Sequence, residues 1–496
     1  MTPWPAKPII YEINTWVWLN TLSRLYNWPV TLENVPDRVV DDIAALGVDA
    51  VWLMGVWMRS PAAQASARKY AGEYKSALPD LAADDIIGSP YAVGAYQVDE
   101  NLGGRHGLAS FRRRLHERGM KLILDFVPNH IATDHAWVRI HPDYLVLGTP
   151  QDLRKRPDTF FSARDATGQT IVVAHGRDPH FPGWIDTAQV NAFSPGARRA
   201  LLTTLLDIAS QCDGVRCDMA MLLLNEVFAR TWQGYVGAPP ESDFWPEIIP
   251  KVKAEYPDFL FIGEVYWDLE FKLQQQGFDY TYDKRLYDRI MDCNVAEIHN
   301  HLIAPIGFQR RMVRFIENHD EQRVLEVLGL ERECAAATLV CTLPGATLLH
   351  DGQLTGRRVK LPVQIGRQPY EPAIPELEAF YRRLLQEVRS PIYQTGEWRL
   401  FDPAPAKENG THENLLAYGW RGGEADYRLI VVNLTDEQSQ AHIDLDVWPG
   451  IASHDWNLHD VLNGQTYQRQ GEHMDDLGLY VDLPPNQFHI FRFERA

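Results

Sequence analysis

A helical spacing of apolar residues that stops at a glycine and passes straight into an apolar run of strand formers recurs along this chain. That recurrence restricts the fold more than any other feature. Val39, Val40, Ile43 and Leu46 share one helical face, Gly47 ends the helix, and VDAVWLM (48–54) follows as a buried strand. Leu108, Phe111 and Leu115, then Gly119, then KLILDFV (121–127) repeat the order. In a third copy Ser194 and Pro195 read as N-cap and first residue of a helix carrying Leu201, Leu205 and Ala209, followed by GVRCD (214–218). The runs LFIGEV (260–265), MVRFIEN (312–318) and GATLLHD (345–351) continue the series. Helix alternating with apolar strand predicts a parallel α/β sheet, and this many units favours a closed (β/α)8 barrel over an open sheet.

Two stretches break the rhythm. Between 131 and 190 the chain is rich in Pro, Gly and Asp and carries no long helical pattern, which reads as an excursion out of the barrel after its third strand. From 395 onward short alternating runs such as YRLIVVNLT, HIDLDV and FHIFRFE predict an all-β sandwich domain. The expected division is therefore a barrel over 1–130 and 191–394, an excursion over 131–190 and a C-terminal domain over 395–496. The 496 residues suffice for all three.

With 48 Lys and Arg against 66 Asp and Glu, the net charge of −18 argues against nucleic-acid or anionic-membrane partners and favours a neutral small molecule or polymer. No apolar run approaches 18 residues and the start, MTPWPAKPIIYEIN, has no basic-then-apolar leader, so the expected location is cytoplasmic. Five cysteines without a C-x-x-C pair read as reduced core residues.

The C-terminal ends of barrel strands carry function, and here they are polar. The third strand runs into Asp125-Phe126-Val127-Pro128-Asn129-His130, the fourth into Arg216-Cys217-Asp218, the fifth into Gly263-Glu264 and the seventh into Glu317-Asn318-His319-Asp320. Breaking a glycosidic bond needs one carboxylate at the anomeric carbon and one carboxylic acid at the leaving oxygen, and Asp218 and Glu264 can supply that pair. Arg216 and Asp218, at i and i+2 on one strand, share a face, so the guanidinium is expected to hold Asp218 ionised. Like charges on Asp218 and Asp320 are expected to raise the pKa of Glu264 and keep it an acid.

DFVPNH (125–130), GVRCD (214–218), GEVYW (263–267) and FIENHD (315–320), in this order, resemble the four signature segments of the α-amylase superfamily of retaining glycoside hydrolases. The resemblance implies a (β/α)8 barrel, an excursion after the third strand and a C-terminal β-sandwich. It implies Asp218 as nucleophile, Glu264 as general acid/base and Asp320 as transition-state stabiliser. Arg216, His130 and His319 would bind the nucleophile or sugar hydroxyls. GSPYAVGAY (88–96) is similar to the segment whose tyrosine, here Tyr91, stacks under the sugar. An α-glucan or oligosaccharide substrate follows. A glycosyl-transferring enzyme of the same superfamily uses the same triad, and an inactive carbohydrate-binding or accessory protein is a third alternative, disfavoured because all three acids are present.

Three departures stand out. The Lys-His pair that often follows the nucleophile, on the leaving-group side, is replaced by Met221 and Leu222. Near the end of the excursion the segment TAQVN (187–191) falls where the family carries a short motif, often LPDLD, and its usual Asp is Gln189 here, so calcium is disfavoured as a cofactor. The stretch HDGQLTGRRVKLP (350–362) departs from the family's usual ending and matches no specificity pattern.

Overall fold

The computed structural model describes residues 3–423 and 425–496. Eight strands close into a parallel barrel: β1 (Ile9–Asn14), β2 (Ala50–Met54), β3 (Lys121–Phe126), β4 (Gly214–Cys217), β5 (Leu260–Gly263), β6 (Tyr280–Tyr282), β7 (Met312–Arg314) and β8 (Ala346–His350). β8 pairs with β1, Ile9 to Thr347, and closes the ring. The predicted barrel and the three helix-to-strand units are all present, with helices over Asp37–Ala45, Gly104–Glu117 and Pro195–Gln211. Gly47 and Gly119 both take positive φ (76° and 78°), the left-handed conformation that ends a helix cheaply only at glycine. Ser194 caps its helix as predicted, its side chain accepting from the Ala197 amide at 3.3 Å.

β1 and β6 are absent from the predicted strands. β6 is three residues long and gives no periodic signal. In β1 an acid, Glu12, interrupts the apolar run IIYEIN, although it is fully buried.

Period-two alternation sorts the strands into two packed faces. Ile9, Tyr11, Ile13, Val51, Leu53, Leu122, Leu124 and Val215 point outward and join the core beneath the helices. Ile10, Ala50, Trp52, Ile123, Leu260, Ile262 and Leu348 fill the barrel interior. Continuing the inward series up each strand reaches Glu12 on β1, Asp125 on β3, Arg216 and Asp218 on β4, and Glu264 past β5. A residue's place in the alternation thus decides that these charged groups face one mouth.

After β3 the chain leaves the barrel. Strand His130–Ala132 pairs with Thr187–Gln189, and a hairpin of Phe160–Arg164 with Thr170–Ala174 lies between them. At the C-terminus a six-stranded and a three-stranded antiparallel sheet enclose a separate core containing Trp448, Trp456, Leu429 and Val481. That domain is fastened to the barrel by the buried pair Arg428–Glu387 at 2.7 Å and by the Trp420 indole N–H donating to the Thr342 carbonyl. The cysteines form no disulfide; Cys212, Cys217 and Cys341 are buried, and Cys293 and Cys334 half-buried. Among the described residues no helix is long and apolar enough to cross a membrane.

Candidate active site

Arg216 stands at the centre of the mouth, 1% exposed. One terminal nitrogen of its guanidinium lies 2.6 Å from Asp218 and the other 2.8 Å from Glu264, with Asp125 at 3.8 Å. The adjacent ends of β4 and β5, paired in register at Cys217 and Gly263, set the two acids side by side. The rings of Trp52, Tyr91 and Tyr282 surround the guanidinium at 5.2–5.8 Å from its carbon to their centroids, which keeps water out and the charge strong.

A second chain of contacts begins behind the site. Glu12 reaches His319 Nδ1 at 2.5 Å; His319 Nε2 in turn lies 3.0 Å from Asp320 and 2.6 Å from the Tyr91 hydroxyl. The Tyr91 and His319 rings stack at 5.3 Å. Burial alone would lower the His319 pKa, but Asp320 and Glu12 outweigh it and raise the pKa well above the ordinary histidine value. His319 is therefore a cation at neutral pH. Asp320 stands at the rim with its side chain 47% exposed. Crowding by protein would raise its pKa, yet the charge of His319, with Arg216 and Lys360 further off, brings it below the usual carboxylate range.

Burial adds to the electrostatics expected from spacing. Arg216 acts as expected, its charge and its hydrogen bond lowering the Asp218 pKa, but burial is the larger influence and the pKa is raised. For Glu264 burial again comes first, opposed by Arg216 and reinforced by Asp218 and Asp320, and the carboxyl is pushed up to about 7. Two cations, Arg216 and His319, face five carboxyl groups, Glu12, Asp125, Asp218, Glu264 and Asp320. A proton on Glu264 relieves that excess near neutrality. Asp125, raised to about 6 chiefly by burial, accepts from the Gly55 amide at 3.1 Å and braces the neighbouring strand.

The proton's place on Glu264 follows from its partners. Oε2 accepts from the Met219 amide at 2.6 Å and faces an Arg216 nitrogen at 2.8 Å in an ion pair, leaving no room for a hydrogen. Met219 can aim that amide because it sits in the left-handed region, φ 45° and ψ 45°, which costs a side-chain-bearing residue about 1–2 kcal/mol. Oε1 meets only the Tyr266 hydroxyl at 2.7 Å, and a hydroxyl can rotate to accept instead of donate. Oε1 is the oxygen free to carry the proton.

Six of the seven predicted side chains, Tyr91, Arg216, Asp218, Glu264, His319 and Asp320, thus form one connected cluster. His130 is set apart on the excursion side, facing the main chain of Tyr91 and packed on Trp184 at 4.9 Å, and burial lowers its pKa to about 4, so it is neutral. Glu12 and Tyr266 were missed by sequence reading. Glu12 could have been found as the lone acid at an inward strand position, and Tyr266 as the hydroxyl two residues beyond Glu264. Met221 and Leu222 are buried in the core. The side nearer Glu264 carries Trp267, edge-on to His180 at 4.9 Å, and the segment that follows His180 exposes Phe181 and Ile185.

The calcium question turns on Gln189. Its side-chain nitrogen donates to the Asn129 carbonyl at 2.7 Å, to Asn129 Oδ1 at 3.0 Å and to the Val190 carbonyl at 3.1 Å, while its oxygen accepts from the Arg177 amide at 3.3 Å. Three oxygens converge on an N–H donor, the opposite of what a hard cation requires of its ligand. Among the described residues no group of three His, Cys, Asp or Glu is placed to hold a metal. The residues present do not fit calcium.

The model of the α-amylase catalytic domain matches residues 32–181. The chain is 24% identical over 453 residues to the α-amylase MalA of Haloarcula japonica, covering 88% of this chain and 56% of that protein. It is 23% identical over 299 residues to α-amylase 3 of Dictyoglomus thermophilum, covering 56% and 55%. The chain thus spans about half the length of these curated relatives. Its fold matches the maltogenic α-amylase AmyB of Thermotoga neapolitana with a TM-score of 0.69 at 20% identity, over 99% of both chains.

Proposed function

We propose that this chain is a member of the α-amylase superfamily and that it cleaves α-glucosidic bonds of α-glucans or maltooligosaccharides with retention of configuration, a reading supported by the match to the α-amylase catalytic domain and by the α-amylase relatives. The observation that carries the proposal is the single buried guanidinium shared by Asp218 and Glu264, with the Asp320–His319–Tyr91 chain completing the mouth. Asp218 attacks the anomeric carbon as the glycosidic bond breaks, and Glu264 gives its Oε1 proton to the leaving oxygen. Asp320 offers negative charge to the oxocarbenium-like transition state, and the His319 cation, bonded to Glu12 and Asp320, holds Asp320 and the Tyr91 hydroxyl in place beside the sugar. Tyr91 supplies a flat face beneath the ring, with His130 at its rim. Once Glu264 has lost its proton, it takes one from the incoming water, and the ester with Asp218 is hydrolysed. Activity falls as pH rises through about 7, where the acid loses its proton.

Incubation with maltose, maltooligosaccharides, isomaltose, trehalose, sucrose and starch, following the first-formed anomer by NMR, tests the reading. The expected first product is the α-anomer from α-glucosides. A β-anomer appearing first, or no turnover across the panel, contradicts the proposal.

Dialysis against a chelator is expected to leave both activity and melting temperature unchanged, because the Gln189 amide already satisfies the oxygens that a cation would need. Loss of activity restored by added calcium, with a matching fall in melting temperature, would overturn this expectation.

A further inference from the structure

The stretch following β8 has no assigned role, and its position in the barrel gives it one. β8 and β1 are neighbours and lie across the closed ring from β4 and β5. Asp218 and Glu264 hold the anomeric end of a bound sugar at β4 and β5, so the opposite end of that sugar, with its 4-hydroxyl, points toward β8 and β1. What stands there decides whether the glucan chain can continue past the cleavage position.

A polar wall stands there. Asp351, just beyond β8, accepts from the Tyr11 hydroxyl at 2.8 Å and pairs with Arg357 at 2.9 Å. Arg357 also donates to Gln368 at 2.8 Å, and Gln368 donates to Thr21 at 3.0 Å, which ties the wall to the helix after β1. Lys360 donates to the main-chain carbonyl of Asp320. Between these groups and His319 remains a cavity of about 20 Å³, room for about one water. That cavity is too small for a hexose ring.

The wall is also fastened from outside. Arg367, 6% exposed, grips Asp80 with 2.9 Å contacts and Asp85 with 2.7 Å contacts. The Ile87 amide donates to the Gln364 carbonyl and the Gly366 amide to the Asp85 carbonyl, and buried Ile365 bridges Ile86. Residues 351–368 are thus a strap stitched to the loop after β2.

We propose that this strap closes the non-reducing side of the site, so that the protein accepts a terminal glucosyl unit and not an internal one, with Asp351 and Arg357 binding that unit's free hydroxyls. This inference rests on the functional reading above and narrows it to chain-end substrates.

The test compares 4-nitrophenyl α-glucoside and a 4-nitrophenyl maltoheptaoside with a free non-reducing end against the same heptaoside capped there by a 4,6-O-ethylidene group, with products separated by chromatography. The free-ended substrates are expected to be cleaved, releasing glucose first, and the capped one at less than a hundredth of the rate. In Arg367→Ala, which loosens the strap without touching the sugar, the capped-to-free ratio is expected to rise at least tenfold. Cleavage of the capped heptaoside by the unaltered protein at a rate near that of the free one overturns the strap while leaving glycoside cleavage intact. No turnover of any of the three overturns the functional reading and the strap together. The comparison on the unaltered protein decides the matter even if Arg367→Ala fails to fold.

Discussion

Asp218→Asn is expected to lower kcat by at least about a thousand-fold, roughly 4 kcal/mol of barrier, while leaving the fold intact. The substitution keeps the volume and removes the charge that attacks the anomeric carbon. Removing the Asp218 charge, one of the influences that raise the Glu264 pKa, favours ionised Glu264, which stays 2.8 Å from Arg216, so the buried guanidinium keeps a carboxylate partner and the penalty of an unpaired buried charge is avoided. Circular dichroism and the melting temperature check the fold; steady-state kinetics on a maltooligosaccharide check the rate. A variant that retained more than about a tenth of the activity, a loss of less than about 1.4 kcal/mol, would show that Asp218 is not the nucleophile.

Glu264→Gln is expected to separate substrates by leaving group. Cleavage of a maltooligosaccharide requires a proton on the departing oxygen, and kcat/KM should fall at least about a thousand-fold. α-Glucosyl fluoride needs little such help, and its kcat/KM, which reports formation of the glycosyl-enzyme, should fall less than about tenfold. A glutamine also keeps an oxygen for the Met219 amide, so the left-handed turn after Asp218 retains its hydrogen bond. Equal losses on the two substrates would exclude Glu264 as the acid.

Much of this was legible in the sequence because the barrel repeats itself. Each glycine-stopped helix announces the next strand, and a strand's alternation tells which of its residues face the mouth, so Arg216 and Asp218 could be put on one face without coordinates. What pairwise spacing cannot show is how one group is shared among several. Arg216 looked like the private partner of Asp218; only the register of β4 against β5 reveals that the same guanidinium reaches Glu264. Glu12 was hidden in an otherwise apolar strand, 307 residues before the histidine it touches. Gln189 was recognised as a departure, but its threefold donation to Asn129 and Val190 depends on the pairing of His130–Ala132 with Thr187–Gln189. The strap has no periodicity at all, and its role comes from contacts with a loop some 280 residues earlier, between Arg367 and Asp85.

The central claim is a covalent glycosyl-enzyme at Asp218, and one measurement addresses it directly. Incubation with 5-fluoro-α-glucosyl fluoride, whose electron-poor ring slows both formation and hydrolysis of the ester while its good leaving group restores the rate of formation, should trap that species. Proteolysis and tandem mass spectrometry should then place one fluoroglucosyl unit on Asp218, with none in Asp218→Asn. Rapid inactivation with the label on a different residue would contradict the account, as would continued turnover of the reagent with no label at any stage.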